Sequence, residues 1–450
     1  TQDYTMGFSL SVLSASIGVA QFLRQVIAFQ WIFAFIIMAL LFISIFTLAE
    51  PPMNWIDDQT AVLATWVKHA MPDGDLRDLI TTGVIGGVGG VIKFLPQILI
   101  LFFFIGLLES TGYMARAAFI MDRLFSWCGL NGKSFVPLLS GFACAIPGIL
   151  STRTIEDPKA RLATAFAVPF MSCSARFPVY ALMCAAFIGP LYGPGWESVV
   201  MVGMHCVGLL FAVPTAFVLT RFVLKVKPQP FVLELPRYQM PKPRDVLWRM
   251  WQNAAEFVSR AGTVIFAITI IVWALSYFPR DPAVEQRIRA TSVGVAPEVV
   301  DAQVQSAYVE QSWMGRFGKS VQPIFDPCGF DWKITVGVLA SFPAREVIVS
   351  TLGVTYSVGE GAEADSKHLQ RVMRDAKWTE GPRVGTPIFS LAAILALMVF
   401  FALCSQCGPT VATLAQETGG WKWAAISFVY MTALAWLMAV AVYQGVSRLA

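Results

Sequence analysis

Charge is what this sequence has least of. Only 14% of its 450 residues are Asp, Glu, Lys or Arg, where a soluble domain carries about a quarter. That scarcity excludes an ordinary soluble globular protein, and with it a basic nucleic-acid-binding surface. Low-complexity tracts are missing too. So is a basic leader with a cleavage site, since the first apolar run is too long for a signal peptide. The eight cysteines sit mostly inside apolar segments, which argues against a secreted disulfide framework. No second pair spaced like Cys404 and Cys407 exists to complete a structural zinc site. Gly129 to Ser134 superficially suggests a phosphate loop, but Trp127 stands where the pattern requires glycine and no strand precedes it. The chain is therefore expected to bind no GTP or ATP itself. No Ser/His/Asp or paired-carboxylate arrangement suggests a covalent enzyme, and no cofactor is expected.

What remains is apolar: 56% hydrophobic residues and a mean hydropathy of +0.62. The composition is that of an all-α polytopic membrane protein with about eight to ten membrane segments. Residues 1 to 25 read as an interfacial helix, and Val26 to Ala49 as a first span. An acidic outer loop follows to residue 78. The Pro-rich basic stretch 225–245 reads as a cytoplasmic linker by the positive-inside rule. It separates the two halves, 81–224 and 246–450, from each other, and an N-terminal part, 1–80, precedes them.

Two runs of the form C-S-x-x-x-P, at Cys173 to Pro178 and Cys404 to Pro409, organise the halves. Proline removes a backbone donor and opens the helix one turn earlier. Carbonyls freed in this way must face protein or a polar cavity. Each half also holds a short broken run (141–149 and 340–348), then a polar loop, then the C-S-x-x-x-P run. That shared order reads as an internal repeat that builds a midplane site from broken or re-entrant helices. Whether the repeat is inverted is left open by hydropathy.

Cysteines at such breaks suit a borderline transition metal rather than a hard cation. Cys144, Cys173, Cys404 and Cys407, with the hydroxyls of Ser172, Ser174 and Ser405 and exposed carbonyls, are the candidate ligands. The alternative, a cysteine packed as a small hydrophobe, is preferred for Cys128, Cys184, Cys206 and Cys328. Arg176, Arg345 and Glu346 are expensive within apolar runs and so carry functional weight, although Arg345 and Glu346 also read as structural ion pairs. Glu109 reads as a metal ligand or as an interface residue. His205 reads as a packing histidine.

Longer stretches resemble one family. Glu109-Ser-Thr-Gly-Tyr-Met-Ala-Arg116, Gly141-Phe-Ala-Cys-Ala-Ile-Pro147, Pro169-Phe-Met-Ser-Cys-Ser-Ala-Arg-Phe-Pro178, Ala344-Arg-Glu-Val347 and Glu417-Thr-Gly-Gly-Trp-Lys-Trp423 closely resemble the membrane domain of the ferrous iron transport protein B family (FeoB). The resemblance covers nearly the whole chain. It implies a Gate-type repeat fold in the bacterial inner membrane and uptake of Fe(II), with Cys144, Cys173 and Cys407 lining the metal path. Cys407 ranks ahead of Cys404, which is kept as a neighbour one i to i+3 step away on roughly the same face. The family usually places a GTP-binding domain ahead of this region, so the GTPase is expected on another domain or a separate chain. A small cytoplasmic accessory protein and a homo-oligomer are further expected partners beside the lipid bilayer. Where the family usually has Asn after the first motif's cysteine, this chain has Ala145. That departure keeps a Mn(II)-type relative open, and a nucleoside or small-solute permease is the alternative from another class.

Overall fold

The computed structural model describes residues 47–72, 74–226, 239–292, 297–356, 367–378, 383–405 and 407–449, with isolated positions between 40 and 44. The interfacial helix, most of the first span and most of the basic linker fall outside these residues.

Among the described residues the fold is helical throughout, with a single isolated bridge between Lys377 and Pro387. Six helices are long and apolar enough to cross a membrane. Four form the rim: α2 (Asp75–Ser110), α8 (Gly195–Val223), α9 (Pro243–Tyr277) and α18 (Trp421–Leu449), with only 17–33% of their apolar windows buried inside the protein. The other two, Pro158–Tyr192 and Leu391–Glu417, are 61% and 82% buried and run through the centre. Both are interrupted at the sequence's proline devices. In the first, α6 (Pro158–Ala167) ends in a 3₁₀ turn, the chain extends at Met171 and Cys173, and α7 begins at Phe177. The second consists of α16 (Leu391–Leu403), extended backbone at Cys404 and Cys407, and α17 (Gly408–Glu417).

Each half adds a hairpin of two short helices. α4 (Phe135–Ala143) and α5 (Ala145–Ser151) meet at Cys144, whose φ of −155° and ψ of 135° make a one-residue break. α13 (Trp332–Ala340) and α14 (Val347–Thr355) meet across residues 341 to 346. Neither pair of arms is long enough to span, so both hairpins are re-entrant.

The hairpins enter from opposite ends of the bundle. The base of the first lies beside the start of α9 and the end of α17, because Arg153 pairs with Glu256 and Glu417. The second has its base at the end where Gly329 meets Tyr443 of α18 and where Tyr277 closes α9. The repeat is therefore inverted. Close backbone approach at the breaks depends on glycine. A Cβ on Gly208 of α8 would stand 2.3 Å from the Phe170 carbonyl oxygen. One on Gly408 would press on Ile268 and Phe342, whose carbonyl accepts the Gly408 N–H at 2.8 Å.

The acidic stretch expected as a loop proves to be helical, as do other polar stretches between the spans. The acidic stretch after residue 49 forms α1 (Glu50–Ala70), which packs on α2 and pairs Asp57 with Lys93. Its apolar residues recur at helical spacing (Met53, Ile56, Ala64, Val67), a signal masked by the cluster of carboxylates. Between residues 280 and 333 lie α10 (Pro282–Thr291), α11 (Pro297–Gln311) and α12 (Trp313–Phe325). The first and last begin at side-chain caps from Asp281 and Ser312. A further helix, α15 (Lys367–Asp375), interrupts the later polar loop.

Candidate functional site

All four breaks meet at one cavity of about 470 Å³. Cys144 reaches it from the first hairpin, Cys173 and Ser174 from the first broken helix, Arg345 and Glu346 from the second hairpin, and Cys407 from the second broken helix. Each half of the chain supplies one hairpin and one broken helix, and at least one cysteine of the wall comes from each half.

Buried arginines hold the breaks open. Arg176 is fully buried and donates to the carbonyls of Pro169 (3.0 Å), Phe170 (3.1 Å) and Met171 (3.0 Å), and to Ser172 Oγ at 3.5 Å. These are the acceptors left stranded where the helix stops, so one guanidinium satisfies the end of α6 and its 3₁₀ turn. The other half solves the same problem across elements. Arg345, from the second hairpin, donates to the carbonyls of Cys404 (3.0 Å) and Phe401 (3.4 Å) at the end of α16. The carbonyls expected as metal ligands are thus occupied by guanidinium N–H groups. Arg345 and Glu346 do not pair with each other across the bundle. Glu346 instead has Lys93 and Asp57 as electrostatic neighbours, and its Oε1 is buried with no hydrogen-bond partner.

Of the residues singled out from sequence, Cys144, Cys173, Cys407 and Glu346 line the cavity. Ser174 lines it as well, whereas Ser405, Ser172, Cys404 and Glu109 do not. Ser172 is buried behind the wall on Arg176. Cys404 is fully buried, its Sγ directed at the Phe401 carbonyl 3.8 Å away. The i to i+3 argument fails because Cys404 and Cys407 both have extended backbone, so the stretch between α16 and α17 presents no helical face. Glu109 lies at the exposed end of α2, paired with Arg249 of α9 at 3.0 Å. His205 packs edge-on against Tyr180, with Nδ1 2.8 Å from the Met201 carbonyl. Among the described residues no three His, Cys, Asp or Glu side chains are gathered closely enough to hold a metal ion, so the cysteines ring an open chamber.

Sequence reasoning missed the wall contributed by α1 and α2: Glu50, Asn54 and Gln97. Gln97 donates to Ser174 Oγ across the cavity. A lone carboxamide behind Pro96 in an apolar span was a readable signal, as was Glu50 one helical turn before Asn54.

The family model described as Gate, nucleoside recognition, matches residues 91–187 and 258–421, more than half the chain. Each matched stretch contains one hairpin and one broken helix. The chain belongs to the Gate family. The model of the ferrous iron transport protein B C terminus matches residues 201–253, and one described as a fungal protein of unknown function matches residues 1–67. Among curated relatives, a Porphyromonas gingivalis protein named as a fusion of Fe(2+) transport protein A and Fe(2+) transporter FeoB is 41% identical over 90% of this chain and 49% of its own length. The Fe(2+) transporter FeoB of Leptospira biflexa is 39% identical, over 94% of this chain and 58% of the relative. That of Helicobacter pylori is 30% identical, over 92% and 63%. This Gate domain thus spans about half to three-fifths of the length of these relatives. No solved structure matches it.

Proposed function

We propose that this domain carries Fe(II) across the bacterial inner membrane through the cavity between its two inverted repeats. The observation that carries the reading is the convergence of Cys144, Cys173 and Cys407, from three separate breaks and both halves, on one chamber that also holds the unpartnered Glu346 carboxylate oxygen. Soft thiolates with a single carboxylate suit a borderline ion such as Fe(II) better than Mg(II) or Ca(II). The guanidinium of Arg345 on the wall and that of Arg176 behind it make a bare dication costly there. Thiols that release their protons as the ion binds, together with Glu346, supply the compensating negative charge. An open ring of ligands, rather than a closed cage, suits an ion that must also leave.

The relatives are named as Fe(2+) transporters, and one is named as a fusion with Fe(2+) transport protein A. On that basis a small accessory protein joins the working assembly, and the resemblance of the sequence motifs adds a GTP-binding domain or chain. The test is anaerobic uptake of radioactive iron by cells carrying the Cys144/Cys173/Cys407 triple serine variant. Uptake is expected to fall at least tenfold, and undiminished uptake overturns the cysteine path. Mn(II) is a second cargo of the same chemistry, favoured by Ala145 on the wall, and metal competition in the same assay separates the two. The mostly apolar chamber also has room for a small organic solute. Competition of a nucleoside against metal uptake is the outcome that favours a permease.

A further inference from the structure

A second chamber, of about 360 Å³, lies at the end of the bundle opposite the basic one, between the rim helices α2 and α9 and the arms of the second hairpin. It extends along α9 from Arg280 and Tyr277, at the end of that helix, down to Thr269, a distance of about 12 Å. Its deep end lies beside the broken tip of the hairpin. There Ile268 packs on Gly408, and Pro343 lines both this chamber and the cysteine cavity.

The two ends differ in chemistry. The deep part is apolar, built from Val272, Val336, Ala340, Pro343 and Val347. The mouth is polar and carries Lys68, Asp78, Arg280 and Gln305. Lys68 reaches it because α1 runs antiparallel to α2, with Asp57 paired to Lys93 and Thr60 against Gly89. The carboxylate of Asp78 is already satisfied, accepting from Arg280 Nη1 at 2.7 Å and from Tyr277 Oη at 3.0 Å. Arg280 is pinned between the rings of Tyr277 and Tyr308, 4.4 and 4.6 Å from their centroids. Its Nε and Nη2, and the exposed ammonium of Lys68, have no partner among the described residues. Gln305 Oε1 is buried without a donor.

An apolar slot of this size with a few polar groups at one end is the ordinary form of a small-molecule site. Each feature selects part of the guest. The free N–H groups of the two cations call for an anionic head, and the Gln305 oxygen for a hydroxyl on that head. The apolar floor calls for a hydrocarbon chain. We propose that this chamber holds one acyl chain of a membrane phospholipid whose anionic, hydroxyl-bearing head group sits at Lys68, Arg280 and Gln305. The lipid enters from the adjoining leaflet, because α2 and α9 border both the chamber and the bilayer. Its chain packs against Pro343, the tip that also lines the cysteine cavity. Binding is read without any flux, so its failure and the failure of the transport reading are separate results.

The test is native mass spectrometry of the purified chain with phosphatidylglycerol or phosphatidylcholine of the same acyl chains. Wild type, Lys68→Glu and Ser350→Trp are compared, each variant first shown to elute as wild type. Wild type is expected to hold one phosphatidylglycerol roughly tenfold more tightly than phosphatidylcholine, the joint effect of a charge pair and a satisfied buried acceptor. Lys68→Glu is expected to reduce that preference to roughly twofold, since only the hydroxyl contact still discriminates. Ser350→Trp, which fills the chamber from an exposed position on α14, is expected to lose the bound lipid. Excess inorganic phosphate is expected to leave the lipid in place, and displacement would overturn the lipid in favour of free phosphate. Equal retention of the two lipids by wild type, or full retention by Ser350→Trp, overturns the proposal.

Discussion

Arg176 and Arg345 are the residues on which the architecture depends. Each is a buried cation whose hydrogen bonds run to main-chain carbonyls rather than to a carboxylate. Arg176→Met removes three charge-assisted bonds and leaves three acceptors without donors at the first break. A buried unsatisfied acceptor costs roughly 1–3 kcal/mol, and partial relaxation brings the expected loss to about 3–5 kcal/mol. Thermal unfolding in detergent measures it. Arg176→Lys is not expected to recover the loss, since one ammonium cannot fork to three carbonyls from a fixed position. A midpoint unchanged in both variants would mean that the break holds without its cap. The presence of an arginine in this apolar run was legible in the sequence, but its task was not. The task depends on carbonyls placed by a 3₁₀ turn and an extended segment, neither of which leaves a periodicity. The choice between Cys404 and Cys407 was undecidable for the same reason. Helical spacing was applied to a stretch that is not helical.

At the level of elements, the basic end of the bundle is clasped by Glu417. Its side chain is only 5% exposed. Arg153 Nε of the first hairpin's base donates to it at 2.9 Å, and Arg161 Nη2 of α6 at 2.7 Å. One carboxylate thus ties the first hairpin and the first broken helix to the last turn of α17. Glu417→Gln keeps the shape and removes the charge. Because both arginines are about a third to a half exposed, solvent limits the loss to about 1–2 kcal/mol. The expected sign is faster hydrogen exchange in residues 152–161 and 408–417, with little change in α8. At the opposite end, Arg289 and then Tyr308 hold the Glu285 carboxyl below its ordinary value. A depressed folded pKa means that this contribution is present in full above about pH 4.3, the unfolded value. It is lost as pH falls through the lower folded value. Exchange in α10 is therefore expected to rise relative to α13 between about pH 4 and pH 3. The proline devices and short broken runs announced the central elements well, because a break inside an apolar run has few other uses. The outer helices were hidden, because their carboxylates and lysines cover a helical pattern that faces inward on one side only.

For the molecule as a whole, the inverted repeat makes the two ends chemically different although their parts are the same. The end with the first hairpin gathers Arg153, Arg161 and Arg260 around Glu256 and Glu417, and Arg249 pairs with Glu109. The positive-inside rule predicts that this end faces the cytoplasm, and α10 to α12 and the second hairpin's base lie at the opposite end. Two hairpins of one construction, inserted from opposite ends, bring their tips, Cys144 of the first and Pro343 of the second, to the wall of the same cysteine chamber. A topology measurement follows directly. With the exposed Cys206 replaced by serine, a cysteine introduced at Lys319 of α12 is expected to react with a membrane-impermeant maleimide in intact cells. One introduced at Lys159 of α6 is expected to react only after permeabilisation. The reverse pattern would turn the molecule over. Reaction of both sites in intact cells would contradict the inverted repeat itself, because the two hairpin bases would then lie on one side.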